Sequence, residues 1–493
     1  MRKSLLSPKE HPARTRHGFL TPVGLLVLFL VGCRSAPAPI LKGRLQSLAA
    51  PTSEEATTRT WWRRIDDPLL DELARKALYG NFSVQAAALR LDEANGVSHS
   101  TVWSLTPKTN LQDQYQGTHT LEYAQKGYPS FSFPEGLSGT NTKSFNVSWE
   151  VPLFGKASGM FAQGRAKSNQ AYWQLAAAKV AVTSELVKDY AAWRGLGRDI
   201  ESYRTSEAAF EELEALESQT RDKGGATQAD IDKALTQKLS IVEQRYTAEG
   251  QRNQMASRIA ALVGDPELAL PGEQQAGAYP ELLIPAVSRI QANALRLRPD
   301  VRAAEELVSL ASAQARIAKA SLYPQFTLGG SIIFNAGSLD TYGGTRGVAN
   351  VANVSTGLTI PLLDWFGLKA QSDAANTELK AVVMDYRQTV ISAWEEARSA
   401  YDDYTTALKR ETALADQLEL AKTEVARQRA LAERGLGTRM DVVQAELSRE
   451  YQQRALEEER FGGLQAWAKL MKASFISEDR PDPRQPAAAA DTQ

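Results

Sequence analysis

The chain has 493 residues, with 57 Lys plus Arg, 58 Asp plus Glu and a formal net charge of −1. This balance argues against a nucleic-acid partner, which requires a basic surface, and 43% hydrophobic residues are sufficient for a large core. The single cysteine excludes an intrachain disulfide, and the four histidines, none of which follows His119, argue against a histidine-based enzyme or metal site.

Residues 1–32 are typical of a secretory signal. A basic start precedes an apolar run from Phe19 to Val31, which is shorter than the ~20 residues of a membrane-spanning helix. The run ends in Leu-Val-Gly-Cys33, which resembles a bacterial lipobox; the alternative is an ordinary signal with a chance cysteine. The resemblance implies a covalent lipid on Cys33, and Arg34 after it favours sorting to the outer membrane.

Two segments have the composition of unstructured chain. Residues 33–60 are rich in Ala, Pro, Ser and Thr, and we interpret them as a lipid-anchored tether. The tail at residues 476–493 contains three prolines and four consecutive alanines, and we predict that it is disordered.

Four segments alternate with the period of two that is typical of β-strands: residues 110–116, 144–151, 326–334 and 354–360. After the signal, no hydrophobic run is long enough for a transmembrane helix, so a membrane crossing would require a closed β-barrel. The alternative is a set of edge strands in a soluble sandwich. Because single-chain barrels have at least ~8 strands, four would close only with several copies of the chain.

Most of the remaining sequence has helical periodicity. Residues 165–222 and 368–432 predict two very long helices, and the second stretch contains neither proline nor glycine. A coiled-coil seam is indicated by the positions Leu379, Val383, Tyr386, Val390, Trp394, Ala397, Tyr401, Tyr404 and Leu408. At ~1.5 Å per residue such a helix reaches ~100 Å, although the same stripes also suit an ordinary helical bundle.

The chain contains an internal duplication. Asn81–Ala86 corresponds to Arg298–Ala303, Pro107–Leu111 to Pro324–Leu328, and Val151–Phe154 to Ile360–Leu363. The Gly/Thr/Asp pattern that begins at Gly224 recurs from Gly435. The matches keep one order at offsets of 209 to 217 residues, so we divide the chain into repeats at residues 61–280 and 281–475. Each predicts a helix, two strands joined by a loop, a very long helix, a turn and a helix.

These features resemble the TolC-like outer-membrane factors, in the NodT-like lipoprotein branch that serves tripartite RND-type efflux pumps. The resemblance covers roughly residues 61–474, and its most specific motif is Arg298-Pro299-Asp300 at the start of the second repeat. Its other carriers include Trp62, Asp67-Pro68-Leu69, Trp149-Glu150, Leu153-Phe154-Gly155-Lys156, Tyr323-Pro324, Pro361-Leu362 and Asp364-Trp365.

The resemblance implies a mainly α-helical protein with a membrane β-barrel. Three chains would share one 12-stranded barrel in the bacterial outer membrane, and the long helices would form a helical barrel in the periplasm. The loops at residues 117–143 and 336–350 would face the cell exterior. The function implied is an exit duct that passively conducts small molecules such as drugs, and it needs no cofactor beyond the lipid on Cys33.

The resemblance also implies partners and site residues. An inner-membrane pump of the RND type, acting directly or through a periplasmic adaptor, would deliver cargo to the periplasmic end. The helix turns that would dock the adaptor contain Gly224, Gly225, Thr227, Gly435, Gly437 and Thr438. The gate candidates are Asp441, Gln444, Asp230, Arg434 and Arg439. Asp441 matches an acidic tip position of the family, where a ring of carboxylates would select cations, and Asp230 is its equivalent in the first repeat. Gln444 stands where many members have a second acid, and the two arginines could pair with neighbouring carboxylates and hold the tip closed.

Each gate residue has a simpler interpretation. Asp230 and Asp441 suit the first turn of a helix, where carboxylates cap backbone amides, and the arginines suit a solvated surface. Two other functions remain open at this point: a periplasmic coiled-coil adaptor or structural tether without a channel, and a lipid-anchored enzyme. The absence of a phosphate-binding loop, of zinc-ligand spacing and of a catalytic constellation in the sequence argues against the enzyme.

Overall fold

The structure is a computed structural model that describes residues 61–120, 123–124, 132–133, 136–271, 292–340 and 345–474. The predicted signal sequence, Cys33, the tether at residues 33–60, the tail at residues 476–493 and the repeat boundary at residue 280 lie outside these ranges. Within the described ranges, no helix combines the length and the apolar character needed to cross a lipid bilayer.

The described chain is mostly helical and contains a small sheet. The second half has the predicted series of elements, whereas the first half begins with two helices and contains two additional short strands. The first half consists of α1 (Pro68–Gly80), α2 (Phe82–Ser104), β1 (Lys108–Thr120), β2 (Tyr123–Ala124), β3 (Ser132–Phe133), β4 (Gly136–Val151), α3 (Lys156–Asp222) and α4 (Gln228–Val263). The second half consists of α5 (Pro299–Ala320), β5 (Gln325–Asp340), β6 (Thr345–Thr359), α6 (Trp365–Glu433) and α7 (Arg439–Ser474). Short 3-10 turns at Trp61–Ile65 and Ala292–Leu297 precede the first helix of each half.

The main sheet joins the two halves of the chain. Its four antiparallel strands follow the order β1-β4-β5-β6, so β4 of the first half pairs with β5 of the second. That pairing runs from Val151 opposite Phe326 to Leu137 opposite Asp340. All four alternating segments therefore form strands, as predicted.

The strands are longer than the sequence indicated, and the predicted loops at residues 117–143 and 336–350 are correspondingly shorter. β1 continues to Thr120 opposite Gly136, and β5 and β6 pair as far as Leu339 opposite Thr345. The Gly, Ser and Thr content of these segments suits solvated loops, but backbone hydrogen bonds between neighbouring strands do not depend on apolar side chains. Residues 121–122, 125–131, 134–135 and 341–344 lie outside the described chain.

Both predicted long helices are continuous. α3 has 67 residues and α6 has 69, which corresponds to about 100 Å each at ~1.5 Å per residue. Gly195 does not interrupt α3 but lies against α7, where a Cβ atom would come within 2.9 Å of the Phe461 ring. This glycine therefore allows α3 and α7 to approach closely.

Each long helix forms a hairpin with the helix that follows it. α3 packs on α4 and α6 on α7, and α3 also packs on α7 and α5 of the other half. Ion pairs connect α6 to α7 along their length: Arg410–Glu459 at 2.8 Å, Arg460–Glu411 at 3.0 Å, Lys469–Asp403 at 2.7 Å and Lys472–Glu396 at 3.3 Å. Because these pairs match in only one register, they fix the position of α7 along α6.

The main core lies partway along the long helices. It combines α1 with the middle of α3 and α6 and with the C-terminal ends of α4 and α7, and its largest fully buried side chains are Tyr190, Trp193, Tyr404 and Trp467. Burial of an aromatic side chain of this size contributes about 2–3 kcal/mol by transfer from water. Leu186, Tyr190 and Trp193 thus form one buried stripe along α3.

The predicted seam on α6 is wrong at one aromatic position. Trp394 is 58% exposed, and the neighbouring Ala393 and Ala400 are buried instead. α6 packs on both α5 and α7, and small side chains at the contact allow the helix backbones to come close together. Periodicity identified the correct helix and buried seam positions such as Ala397 and Tyr404, but it misplaced the seam at residue 394.

Candidate functional site

The predicted site lies at the two turns that reverse the chain between α3 and α4 and between α6 and α7. We call residues 223–227 and 434–438 the tip turns. Gly224 has φ +79° and Gly435 has φ +73°, in the left-handed region that favours glycine. In the first turn the amide of Gly225 donates to the carbonyl of Thr220 at 2.9 Å, and in the second Leu436 donates to Leu431 at 2.9 Å. The two turns thus close α3 and α6 with the same hydrogen-bond pattern.

A reciprocal capping box follows each tip turn. The backbone amide of Thr227 donates to a carboxylate oxygen of Asp230 at 2.8 Å, and the Asp230 amide donates back to the Thr227 hydroxyl at 3.3 Å. Thr438 and Asp441 form the same pair at 2.8 and 3.2 Å. The hydroxyl and amide of each threonine hold the pKa of its aspartate below the usual value. Both carboxylates are therefore exposed anions that cap the starts of α4 and α7.

Arg439 connects the two helical hairpins. Its guanidinium donates to both carboxylate oxygens of Glu212 on α3, at 2.6 and 2.9 Å, across 227 residues of sequence. The Arg439 and Glu212 side chains are 48% and 41% exposed. Arg439 also lies 3.8 Å from a carboxylate oxygen of Glu446 on α7, and Arg429 of α6 donates from Nε to the same Glu446 at 3.2 Å. α7 is thus held by arginine–glutamate pairs close to its first turn.

The other gate candidates do not join this network. Arg434 occupies the C-cap of α6 and is exposed, and in the described part of the chain it forms no ion pair. Gln444 is exposed one turn after Asp441. Within the described chain, only Arg439 of these two arginines has carboxylate partners; they are Glu212 and Glu446, and neither is a tip aspartate.

A small apolar cluster supports the tip from inside. Leu213 of α3, Ala234 of α4 and Val443 of α7 are buried together, and Phe210 and Met440 pack around them. Because α3, α4 and α7 all contribute to this cluster, separation of the two hairpins at the tip would expose it to water.

The start of α1 is anchored by a buried ion pair that the sequence did not reveal. Asp67 caps α1 through the amides of Leu69 and Leu70, at 3.0 and 3.3 Å. Its other carboxylate oxygen accepts hydrogen bonds from the Tyr190 hydroxyl and from Arg194, both at 2.6 Å. The side chains of Asp67 and Arg194 are 0% and 4% exposed, so the pair is desolvated and depends on these mutual bonds.

Arg298 performs a similar task at the start of α5. Its guanidinium donates to the Ala473 carbonyl at the end of α7 at 2.6 Å, to Asp300 at 2.7 Å and to Glu396 of α6 at 2.5 Å. Burial alone would raise the pKa of Glu396, but the hydrogen bond and charge of Arg298 lower it below its usual value. The Arg-Pro-Asp motif therefore joins α5, α6 and α7. Sequence reasoning used the motif for the family resemblance and assigned it no structural role.

Comparison with known proteins gives a consistent result. A model of the outer membrane efflux protein family matches residues 73–265 and 291–474, which together exceed half of the chain. Nodulation protein T of Rhizobium leguminosarum bv. trifolii is 26% identical over 463 residues, spanning 92% of this chain and 95% of that protein. The pyoverdine export outer membrane protein OpmQ of Pseudomonas aeruginosa is 23% identical over 464 residues, spanning 90% of this chain and 94% of that protein.

A solved structure shares the fold. The outer membrane protein VceC of Vibrio cholerae superposes with a TM-score of 0.70 at 21% identity, over 84% of this chain and 98% of that one. The resemblance derived from the sequence motifs is confirmed at the level of the family. The chain belongs to the outer membrane efflux protein family and is a protein of the outer membrane.

Proposed function

We propose that the chain is the exit duct of a tripartite efflux system and passively conducts small molecules to the cell exterior. Family membership supports an efflux channel, and one observation carries the proposal furthest. The outer sides of β1 and β6 have no strand partner among the described residues, and the sheet exposes large apolar side chains such as Leu111, Tyr115 and Val354, at 81%, 74% and 85%. Unpaired edges and apolar faces of this kind require further strands and an apolar environment.

Three copies would supply those strands and close a 12-stranded barrel in the membrane. The long hairpins of the three copies would then continue as a helical barrel in the periplasm. Each repeat, residues 61–280 and 281–475, would contribute two strands and one hairpin, and the two segments that match the family model support this division. The proposed signal at residues 1–32, the lipid on Cys33, the tether at residues 33–60 and the tail at residues 476–493 complete the chain.

The tip turns are the proposed docking surface for a periplasmic adaptor, through which an RND-type inner-membrane pump would deliver cargo. The two tip turns have the same backbone geometry, which supports this proposal because one adaptor motif could bind both turns. Cysteines placed at Thr227 and Thr438 should capture the adaptor by crosslinking, whereas a cysteine at the exposed Thr423, about 18 Å along α6, should not. Equal capture from all three positions, or from none, would contradict docking at the tip.

Asp441 is the proposed cation-selecting residue, in three copies around the tip, with Asp230 and Gln444 nearby. Because Asp441 also caps α7, the informative change is Asp441→Asn, which removes the charge and retains an acceptor for the Thr438 amide. We expect a lower ratio of cation to anion permeability in bilayers. Asp230→Asn makes the same change to the capping contact in the other turn, and comparison of the two variants shows whether this second gate candidate also contributes. An unchanged ratio for Asp441→Asn would rule out selection by Asp441.

The cellular test is the accumulation of a fluorescent cationic dye in a strain that lacks the gene. The full chain should lower accumulation when its adaptor and pump are present and should have no effect without them. Correctly located protein that leaves accumulation unchanged in both strains would favour the alternative, a periplasmic adaptor or tether without a channel. The proposed role requires no catalysis and no cofactor besides the lipid, because the pump would supply the energy.

A further inference from the structure

A polar cleft of about 310 Å³ lies where the two helical hairpins meet, between the main core and the tip. α3 contributes Leu196, Asp199 and Tyr203, α7 contributes Arg454 and Glu458, and α4 contributes the remaining wall, formed by Glu243, Gln244, Thr247, Ala248 and Gln251. The cleft therefore touches both hairpins along the same α3–α7 contact that Arg439 and Glu212 close at the tip.

The charges in this cleft are not balanced by pairing. Asp199 shares the cleft lining with Glu458 of α7 and Glu243 of α4, and Arg454 is the cation in that lining. The charge of Glu457, also on α7, acts on Asp199 as well. Arg454 lies over the Tyr203 ring, with its guanidinium carbon 4.4 Å from the ring centre, and 5.6 Å from the Tyr451 ring. Within the described residues it forms no ion pair with a carboxylate, and Asp199 accepts no hydrogen bond.

The half-buried carboxyl of Asp199 is thus held opposite like charges at a helix–helix contact. We propose that Asp199 is a proton-sensitive joint: α3 packs closely against α4 and α7 when Asp199 is protonated, and the contact loosens when the carboxyl ionises. A neutral carboxyl removes one of the negative charges in the cleft, whereas an ionised one repels Glu458 across the helix contact, where partial burial weakens screening. The joint is a property of the helix contact itself and is independent of whether the chain conducts.

The direction of the pH dependence follows from linkage. Burial, and next the charge of Glu458, raise the pKa of Asp199 from 3.8 to about 7, although Arg454 opposes the change. If the helices separated, the pKa of the Asp199 carboxyl would return toward 3.8, so the packed contact binds the proton more tightly. The contact is therefore firmest at low pH, weakens as the pH rises from about 4 to about 7, and changes little above that.

Hydrogen–deuterium exchange of the full-length protein in detergent tests the joint, read on amides 195–205 and 450–462. Each exchange rate is divided by the rate in Asp199→Asn at the same pH, which cancels the chemical pH dependence of exchange. Between pH 5.5 and 7.5 we expect the ratio of wild type to Asp199→Asn to increase by about tenfold, and then to level off. A ratio that does not change with pH would overturn the proposal.

Two further variants separate the joint from a general effect of charge. Glu458→Gln should move the levelling point below pH 7 and reduce the total increase, because the charge that faces Asp199 is lost. Glu201→Gln also removes one negative charge, here from α3. Because the Glu201 side chain is 65% exposed, this variant should give the wild-type profile. A profile altered as much by Glu201→Gln as by Glu458→Gln would likewise contradict the assignment.

Discussion

At the scale of single residues, buried charges at helix starts determine how the shorter helices attach to the long ones. Asp67 and Arg298 each follow an irregular turn, precede a proline that begins a helix, and form an ion pair with a long helix. Proline at the first helical position needs no amide partner, and the preceding residue is restricted to an extended conformation. The side chain of that residue is thereby aimed at the neighbouring long helix.

Removal of one partner of the buried pair should be costly. Arg194→Leu would leave the Asp67 carboxylate buried without its cation, and we expect a loss of about 3–5 kcal/mol in the free energy of unfolding, measured by urea denaturation. Arg398→Leu removes an exposed pair with Asp402, with side chains 66% and 56% exposed, and should cost less than about 1 kcal/mol. Similar losses for the two variants would contradict the anchoring role of Asp67.

Glycine is required where the ends of α1 and α4 meet. Gly264 has φ +78°, and a Cβ atom there would lie 2.3 Å from the Gly80 carbonyl oxygen. Gly264→Ala should therefore destabilise the protein by about 1–3 kcal/mol in the same assay. The matched control is Gly250→Ala inside α4, the helix that Gly264 caps. A Cβ at residue 250 meets no atom within 4 Å, and the change should be neutral or stabilise by up to about 1 kcal/mol. A neutral result for Gly264→Ala would show that the contact relaxes freely.

At the scale of elements, local patterns predicted helices and strands well and failed where a partner far away in sequence decides the outcome. Period-two alternation located all four main strands, and the absence of helix breakers located α6. The tip aspartates could be recognised as possible caps because Thr and Asp three residues apart form a local motif. In contrast, the burial of Ala393 in place of Trp394 depends on α5 and α7, and the partner of Arg439 is 227 residues away.

The Arg439–Glu212 pair should restrain separation of the hairpins at the tip. Exposed pairs contribute about 0.2–1 kcal/mol each, so three copies in the proposed trimer would shift an opening equilibrium by about 3- to 150-fold. Arg439→Glu should increase the open probability of the channel and the exchange of amides near residue 443, because the cluster around Val443 loses its cover.

The reversed pair, Arg439→Glu with Glu212→Arg, should restore the open probability and the amide exchange near residue 443 toward their wild-type values. Lys422→Glu is the control, because its partner Glu419 lies on the same helix and does not connect the hairpins. If the reversed pair behaves like Arg439→Glu alone, the effect arises from the charge at residue 439 and not from the contact.

At the scale of the whole molecule, the duplication does not produce two separate domains. α3 of the first half packs on α5 and α7 of the second, β4 pairs with β5, and the described chain forms a single compact unit. Offsets between matching motifs revealed the repeat from the sequence, but not this exchange of contacts. A half-chain would lack the partner strand of β4 and part of the main core, so we infer that the repeats fold together.

The central claim is that copies of this chain enclose a conducting duct, and single-channel recording in planar bilayers tests it most directly. Purified full-length protein, verified as a heat-modifiable oligomer, should give discrete cation-selective openings. Channels with Arg439→Glu should open more often than wild type. In the reversed pair with Glu212→Arg, the open probability should return to the wild-type level. Verified oligomers of all three proteins that leave the bilayer without conductance would contradict the account.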